Sequence, residues 1–118
     1  MWSPTEIIKV MLIPRRRGRG SRAEMRVASR LRKAGFKVRR NKRSKVGEID
    51  IDAKRGKNRY LVEVKSGKSP ITSSDIRKLV RKARYHKTKP VLYKSKQRKL
   101  TKPAKELAKR LGVRVRDI

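Results

Sequence analysis

The sequence predicts an α/β fold, a mixed β-sheet with helices packed on it, in the order α-β-β-β-α-β-α-β. Three observations lead there. Three segments carry apolar residues at helical spacing, and five others alternate or run apolar as strands do. The later strands are separated by helical segments, so they need crossover connections rather than tight hairpins. At 118 residues, one core of the usual size accounts for the chain. Residues 1–20 read as an N-terminal apolar segment with a basic arm, and residues 21–118 as a single domain.

Residues 1–14 are apolar in part and end at Pro14, which suits an extra strand, a helical turn or a dimer contact. Arg15, Arg16, Arg17 and Arg19 alternate with glycine in a basic linker. The first helix is expected to start at Ser21, with Glu24 three residues on completing a capping box. Val27, Ala28, Leu31 and Ala34 form its stripe, and Gly35 ends it. Phe36 to Arg40 alternates as a strand, and Asn41 to Lys45 reads as a basic connection.

Glu48 to Ala53 alternates strictly, so Ile49, Ile51 and Ala53 should face one way and Glu48, Asp50 and Asp52 the other. Arg59 to Lys65 is the next strand. Gly56-Lys57 between them fits a two-residue type II′ turn, pairing Arg55 with Asn58. Counting back sets Asp50 opposite Glu63 and Glu48 opposite Lys65, with paired Cβ atoms about 5 Å apart. Thr72, Ser73, Ser74 and Asp75 offer caps for a second helix with Ile76, Leu79, Val80 and Ala83 as its stripe, fading near His86. Pro90 to Tyr93 is a short buried strand. Thr101 caps a third helix bearing Ala104, Leu107, Ala108 and Leu111. Gly112 stops it, and Val113 to Arg116 is the last strand.

Charge narrows the function. Lys and Arg number 39 against 9 Asp and Glu, a formal charge of +30. Such an excess repels itself unless a polyanion or counterions screen it, which points to nucleic acid. Without cysteine there are neither disulfides nor thiolate metal sites. Ile7 to Ile13 is far too short to span a bilayer and lacks a basic lead-in, so the expected location is cytoplasmic and nucleoid-associated. The high charge and few thermolabile residues fit a thermophilic source.

Against that basic background, Glu48, Asp50, Asp52 and Glu63 cluster on one predicted hairpin. Two apposed carboxylates repel, and a hard divalent cation such as Mg²⁺, or Mn²⁺ in its place, removes that cost. Asp50 and Glu63 are the candidate metal ligands, with the Val64 carbonyl as a third donor. Lys65 shares the Glu63 face, where it can orient an attacking water and steady developing phosphoryl charge. These parts suffice for phosphodiester hydrolysis. The same alternation also arises as cross-strand ion pairing, and spacing alone does not decide. Glu48 and Asp52 suit salt bridging, Glu24 suits capping, and His86 has no evident catalytic partner.

From Arg19 to Tyr93 the chain resembles the PD-(D/E)XK nuclease superfamily, and within it the archaeal Holliday-junction resolvases. The resemblance rests on Arg19 to Glu24, Gly35 to Val38, Ser44, Asp50, Glu63-Val64-Lys65-Ser66, Asp75 to Leu79 and Pro90 to Leu92. It implies a restriction-endonuclease-like fold and a metal-dependent endonuclease acting in DNA recombination or repair. By the same resemblance, Glu24, Asp50, Glu63, Lys65 and Ser44 form the catalytic set, and a homodimer makes paired cuts. Ile49 stands where the superfamily name has Pro, and the Lys-rich C-terminal third departs from the resolvase ending. Nuclease therefore rests on more residues than junction resolvase.

The expected partner is DNA, duplex or branched. Few aromatics disfavour a single-strand stacking platform and favour recognition of backbone or shape. The candidate phosphate contacts are Arg15, Arg16, Arg17, Arg19, Arg22, Arg40, Lys42, Arg43, Lys45 and Lys68. The competing class is a noncatalytic basic nucleic-acid-binding protein, followed by a related nuclease acting on linear or flap DNA.

Overall fold

A computed structural model describes residues 19–118, with side chains from residue 22 onward. The apolar N-terminal segment, its expected dimer contact, and Arg15, Arg16 and Arg17 lie outside the described residues, as does the Arg19 side chain. Among the described residues, three helices, α1 (Arg19–Lys33), α2 (Ser73–Tyr85) and α3 (Lys102–Arg110), accompany five strands. These are β1 (Lys37–Ser44), β2 (Gly47–Arg55), β3 (Asn58–Lys65), β4 (Lys89–Lys94) and β5 (Arg114–Asp117). The element order matches the one read from the sequence.

The sheet order is β1-β2-β3-β4-β5. The first three strands pair antiparallel through hairpins, and β3, β4 and β5 pair parallel through helical crossovers. Crossovers of one hand in one direction land on one face of the sheet. Accordingly α2 and α3 share a core with Ile49, Leu61, Ile71, Leu92 and Val113, while α1 lays Val27, Ala28 and Leu31 on Ile51, Ala53, Val62 and Val91 across the other face. Each fully buried Ile, Leu or Val contributes about 1.5–3 kcal/mol over leaving it in water.

The helix ends follow local chemistry. In α2, Thr72 accepts the Asp75 amide and Asp75 accepts the Thr72 amide, a reciprocal cap that selects Thr72 among the four candidates. Ile76, Leu79, Val80 and Ala83 are all buried. In α3, Thr101 accepts the Ala104 amide. Helix α1 departs from expectation, because it starts at Arg19 and leaves Ser21 inside its first turn instead of at the cap. Arginine is a good helix former, so the helix runs back into the residues assigned to the arm. Glu24 instead faces the sheet, where it is buried and meets Arg40.

Two strand readings also change. The segment from Asn41 to Ser44, expected as a connection, continues β1 and closes a hairpin with Ser44 paired to Gly47. The strict alternation of β2 breaks at Asp50. Ile49 enters the core beneath α2, whereas Ile51 and Ala53 enter the core beneath α1. Strand β1 turns over at the matching point: Arg40 meets Glu24 on α1, while Lys42, two residues on, meets Asp52 with its back to α1. Asn41 between them takes φ 54°, a left-handed conformation that asparagine tolerates. Register is kept on both sides, Arg40 with Ile51 and Lys42 with Ile49, so both strands reverse their faces together.

Candidate active site

The β2–β3 turn sets the register that builds the site. Gly56 has φ 61° and Lys57 does not, as a type II′ turn requires, and Arg55 pairs with Asn58. The ladder then runs to Ile51–Val62 and stops. Past that point the Val64 amide donates to Asp50 Oδ2 at 3.0 Å, so a carboxylate takes the place of a backbone acceptor. The strands part where Asp50 turns over, and the opening is filled by acid side chains.

Asp50 and Glu63 meet in that opening. Asp50 is buried, Glu63 is half-buried, and their carboxyl groups hydrogen-bond. Burial first, and the Asp50 charge second, push the Glu63 carboxyl up from 4.5 to about 7, while Lys82 and Lys65 draw it down. Glu63 therefore titrates close to neutral pH.

Lys65 stands two residues along β3 from Glu63, and its Nζ lies 3.7 Å from Asp75 Oδ1. The β2–β3 ladder ends at Ile51–Val62, short of the expected Glu48–Lys65 register pair. Asp75 is anchored by the Thr72 amide at 2.9 Å and hydroxyl at 3.2 Å. Burial raises the Asp75 carboxyl, but the Thr72 amide, Lys65, the Thr72 hydroxyl and Arg98 together hold it below the usual carboxylate range. Lys82, absent from the sequence reading, reaches from α2 to the Glu48 carbonyl at 2.9 Å. Its i, i+3 spacing from Leu79 gave no hint of that reach, because the turn of β2 at Asp50 brings Glu48 to it.

Arg40 Nη2 and Glu24 Oε2 are 3.5 Å apart. Asp52 pairs with Lys42 at 3.5 Å and Arg59 at 3.2 Å, the salt-bridging expected of it. Ser44 donates to the Gly47 carbonyl at 2.8 Å and accepts the Val46 amide, so its hydroxyl serves the hairpin turn. Arg43 and Lys45 are exposed near the tip of that hairpin, and Arg22 and Lys68 line one groove beside the site. His86 sits at the end of α2 against Tyr85.

The donor set is all oxygen, which suits a hard divalent cation held by one or two carboxylates and completed by water. The meeting point of the Asp50 and Glu63 carboxyl groups is the place that such an ion would take. Among the described residues, no group of three His, Cys, Asp or Glu side chains is arranged to hold a metal. The fit is thus to a site of two carboxylates.

Residues 16–117 match the restriction endonuclease family Mrr_cat. The chain belongs to the restriction endonuclease family.

A UPF0102 protein of Thermotoga neapolitana is 45% identical over 53 residues, covering 42% of this chain and 50% of that one. Among solved structures, the protein of unknown function AF1548 superposes with a TM-score of 0.68 at 23% identity, over 81% of this chain and 56% of its own. A repair endonuclease from Pyrococcus abyssi gives 0.66 at 19%, over 89% and 49%. An EndoMS complex with double-stranded DNA gives 0.60 at 21%, over 90% and 47%. These likenesses show the restriction-endonuclease-like fold. The chain spans about half the length of these relatives. Among the described residues, no helix is long and apolar enough to cross a membrane.

Proposed function

We propose that this restriction endonuclease family domain is a Mg²⁺-dependent DNA endonuclease, cutting duplex or branched DNA in recombination or repair. The observation that carries the reading is the meeting of buried Asp50 with Glu63 where the β2–β3 ladder opens, with Lys65 two residues along β3. A binding module has no use for a buried acid pair in a chain of charge +30. Asp50 Oδ2 accepts the Val64 amide, and the Asp50 and Glu63 carboxylates together would hold the cation. Mg²⁺, or Mn²⁺ in its place, would supply Lewis-acid polarisation of the scissile phosphate and a lowered pKa for the attacking water.

The residues of the chain do the rest. Asp75 fixes Lys65 on the Glu63 side, where its ammonium orients the water and balances charge as the phosphorane forms. Lys82 adds positive potential at Glu63 from α2. Glu24, buried beside Arg40, would complete the acidic site from α1. Sequence-tolerant recognition follows from the basic surface and the scarcity of aromatics. A homodimer would supply the two sites that paired cuts need.

The deciding assay offers four-way junction, flap, linear duplex and single-stranded DNA, with Mg²⁺ or EDTA. Cutting that needs the metal and is lost in Asp50→Asn and Lys65→Ala, while DNA binding persists, is the expected outcome. Symmetric nicks at the junction support resolvase action. DNA binding with no cleavage of any substrate removes the nuclease reading.

A further inference from the structure

Beside the acid pair, the N-terminal half of α1 and the ends of β3 and β4 enclose an open groove of about 490 Å³. Arg22 and Arg26 form one wall, one helical turn apart. Lys68 follows β3, and Lys96 with Gln97 follows β4. Among the described residues, the lining contains four cations, several neutral hydrogen-bonding groups and no carboxylate side chain. The described lining has no aromatic side chain either, so none of these residues offers a base a stacking surface.

The groove is joined to the site by the chain itself. Arg22 and Ala23 precede Glu24, and Ser66 to Lys68 follow Lys65. Its floor is tied together. The Ser95 amide donates to the Lys65 carbonyl at 3.0 Å, Arg98 Nη1 donates to the Ser66 carbonyl at 2.6 Å, and the Arg98 amide donates to the Ser95 carbonyl at 3.0 Å. Elsewhere several cations near the site pair with acids: Arg40 with Glu24, Lys42 and Arg59 with Asp52, Lys65 with Asp75.

We propose that this groove seats the sugar-phosphate backbone of the cut strand on one side of the scissile bond. Arg26 and Lys96 neutralise successive phosphates, and Ser66, Ser95 and Gln97 meet phosphate or sugar oxygens. The proposal rests on the nuclease reading for which strand is held, but the groove's affinity for DNA backbone stands apart from cleavage. Base identity plays no part in it, because the lining offers charge and hydrogen bonds to the backbone.

The test measures binding of a labelled duplex in EDTA, where cleavage is blocked, over a series of salt concentrations. Arg26→Gln/Lys96→Gln is compared with Lys105→Gln/Arg110→Gln, which removes the same charge from exposed positions on α3, across the sheet. Removing one cation that neutralises a phosphate lowers the slope of log affinity against log salt by about 0.9. The groove variant should therefore lose a slope of roughly two while the α3 variant keeps the wild-type slope. Equal slopes in the two variants overturn the proposal, even if the wild type cuts DNA. A wild type that binds with the predicted slopes but cuts nothing leaves the groove standing and removes the nuclease reading alone.

Discussion

The Lys65 ammonium lies 3.7 Å from the Asp75 carboxylate, and the same carboxylate closes the cap of α2 on Thr72. A catalytic candidate on the sheet is thereby held by a helix terminus. Asp75→Asn keeps an acceptor for the Thr72 amide but discharges the partner of Lys65. The expected result is a fall in cleavage rate of roughly two- to five-fold, the size of a partly exposed ion pair. Thr72→Ala should instead cost about 1 kcal/mol in stability with little change in rate. Single-turnover cleavage alongside thermal denaturation separates the two, and equal rate losses in both variants would remove the positioning role of Asp75.

Metal-free stability should depend on pH through Glu63. Its carboxyl titrates at about 7 in the folded protein against 4.5 when free, so between those values the folded state holds a proton that the unfolded chain releases. Stability linked to that proton is fully present below about pH 4.5 and lost as pH rises through about 7, by on the order of 3 kcal/mol. Denaturation in EDTA at pH 5 and pH 8 should show that loss in the wild type. Glu63→Gln, which stays neutral, should flatten the dependence in this window, and an unchanged pH profile in the variant would count against Glu63 as the titrating group.

Gly47 closes the β1–β2 hairpin against Lys82. It has φ 116°, and a Cβ built there would come within 3.0 Å of Lys82 Cε. Gly47→Ala should cost about 1–3 kcal/mol from backbone strain and dislodge the ammonium from the Glu48 carbonyl. Lys82→Met removes the charge without strain. Its expected effect is a Glu63 carboxyl that titrates still higher, read as an upward shift of the acid limb in the cleavage rate profile. An unmoved limb would show that Lys82 serves only the hairpin.

Asn41 tests the reversal of the hairpin. At φ 54°, Asn41→Gly should be nearly neutral, whereas the β-branched Asn41→Val should cost about 1–3 kcal/mol. Chemical denaturation of the two variants measures the difference. Equal stabilities would mean that the left-handed residue is not what turns the strand.

The order of elements, the stripes of α2 and α3, and the turn at Gly56 were legible because each rests on local chemistry: caps, periodicity, and a glycine that accepts positive φ. The register that follows from that turn was legible for the same reason, and with it the meeting of Asp50 with Glu63. The face of Ile49 was not legible. Alternation assumes an unbroken pleat, and the signal that breaks it lies on another strand, in one asparagine among basic residues. Lys82 and Arg26 were hidden similarly, as cations among 39 whose importance depends on what the sheet brings beside them. Glu24 looked like half of a capping box because Ser21 stood three residues before it. Whether α1 continues past Ser21 is decided by the arm, not by that local pair.

The face reversal at Asn41 and Asp50 also bears on how the molecule comes apart. Strand β2 sends Ile49 into one core and Ile51 into the other, with only Asp50 between them. Neither layer can loosen without pulling on the same three residues. Amide hydrogen exchange should therefore report one opening event for α1 and α2 alike, although no contact between those two helices is needed to link them. The acid pair sits at the point of shared tension, so partial unfolding of either layer would dismantle it.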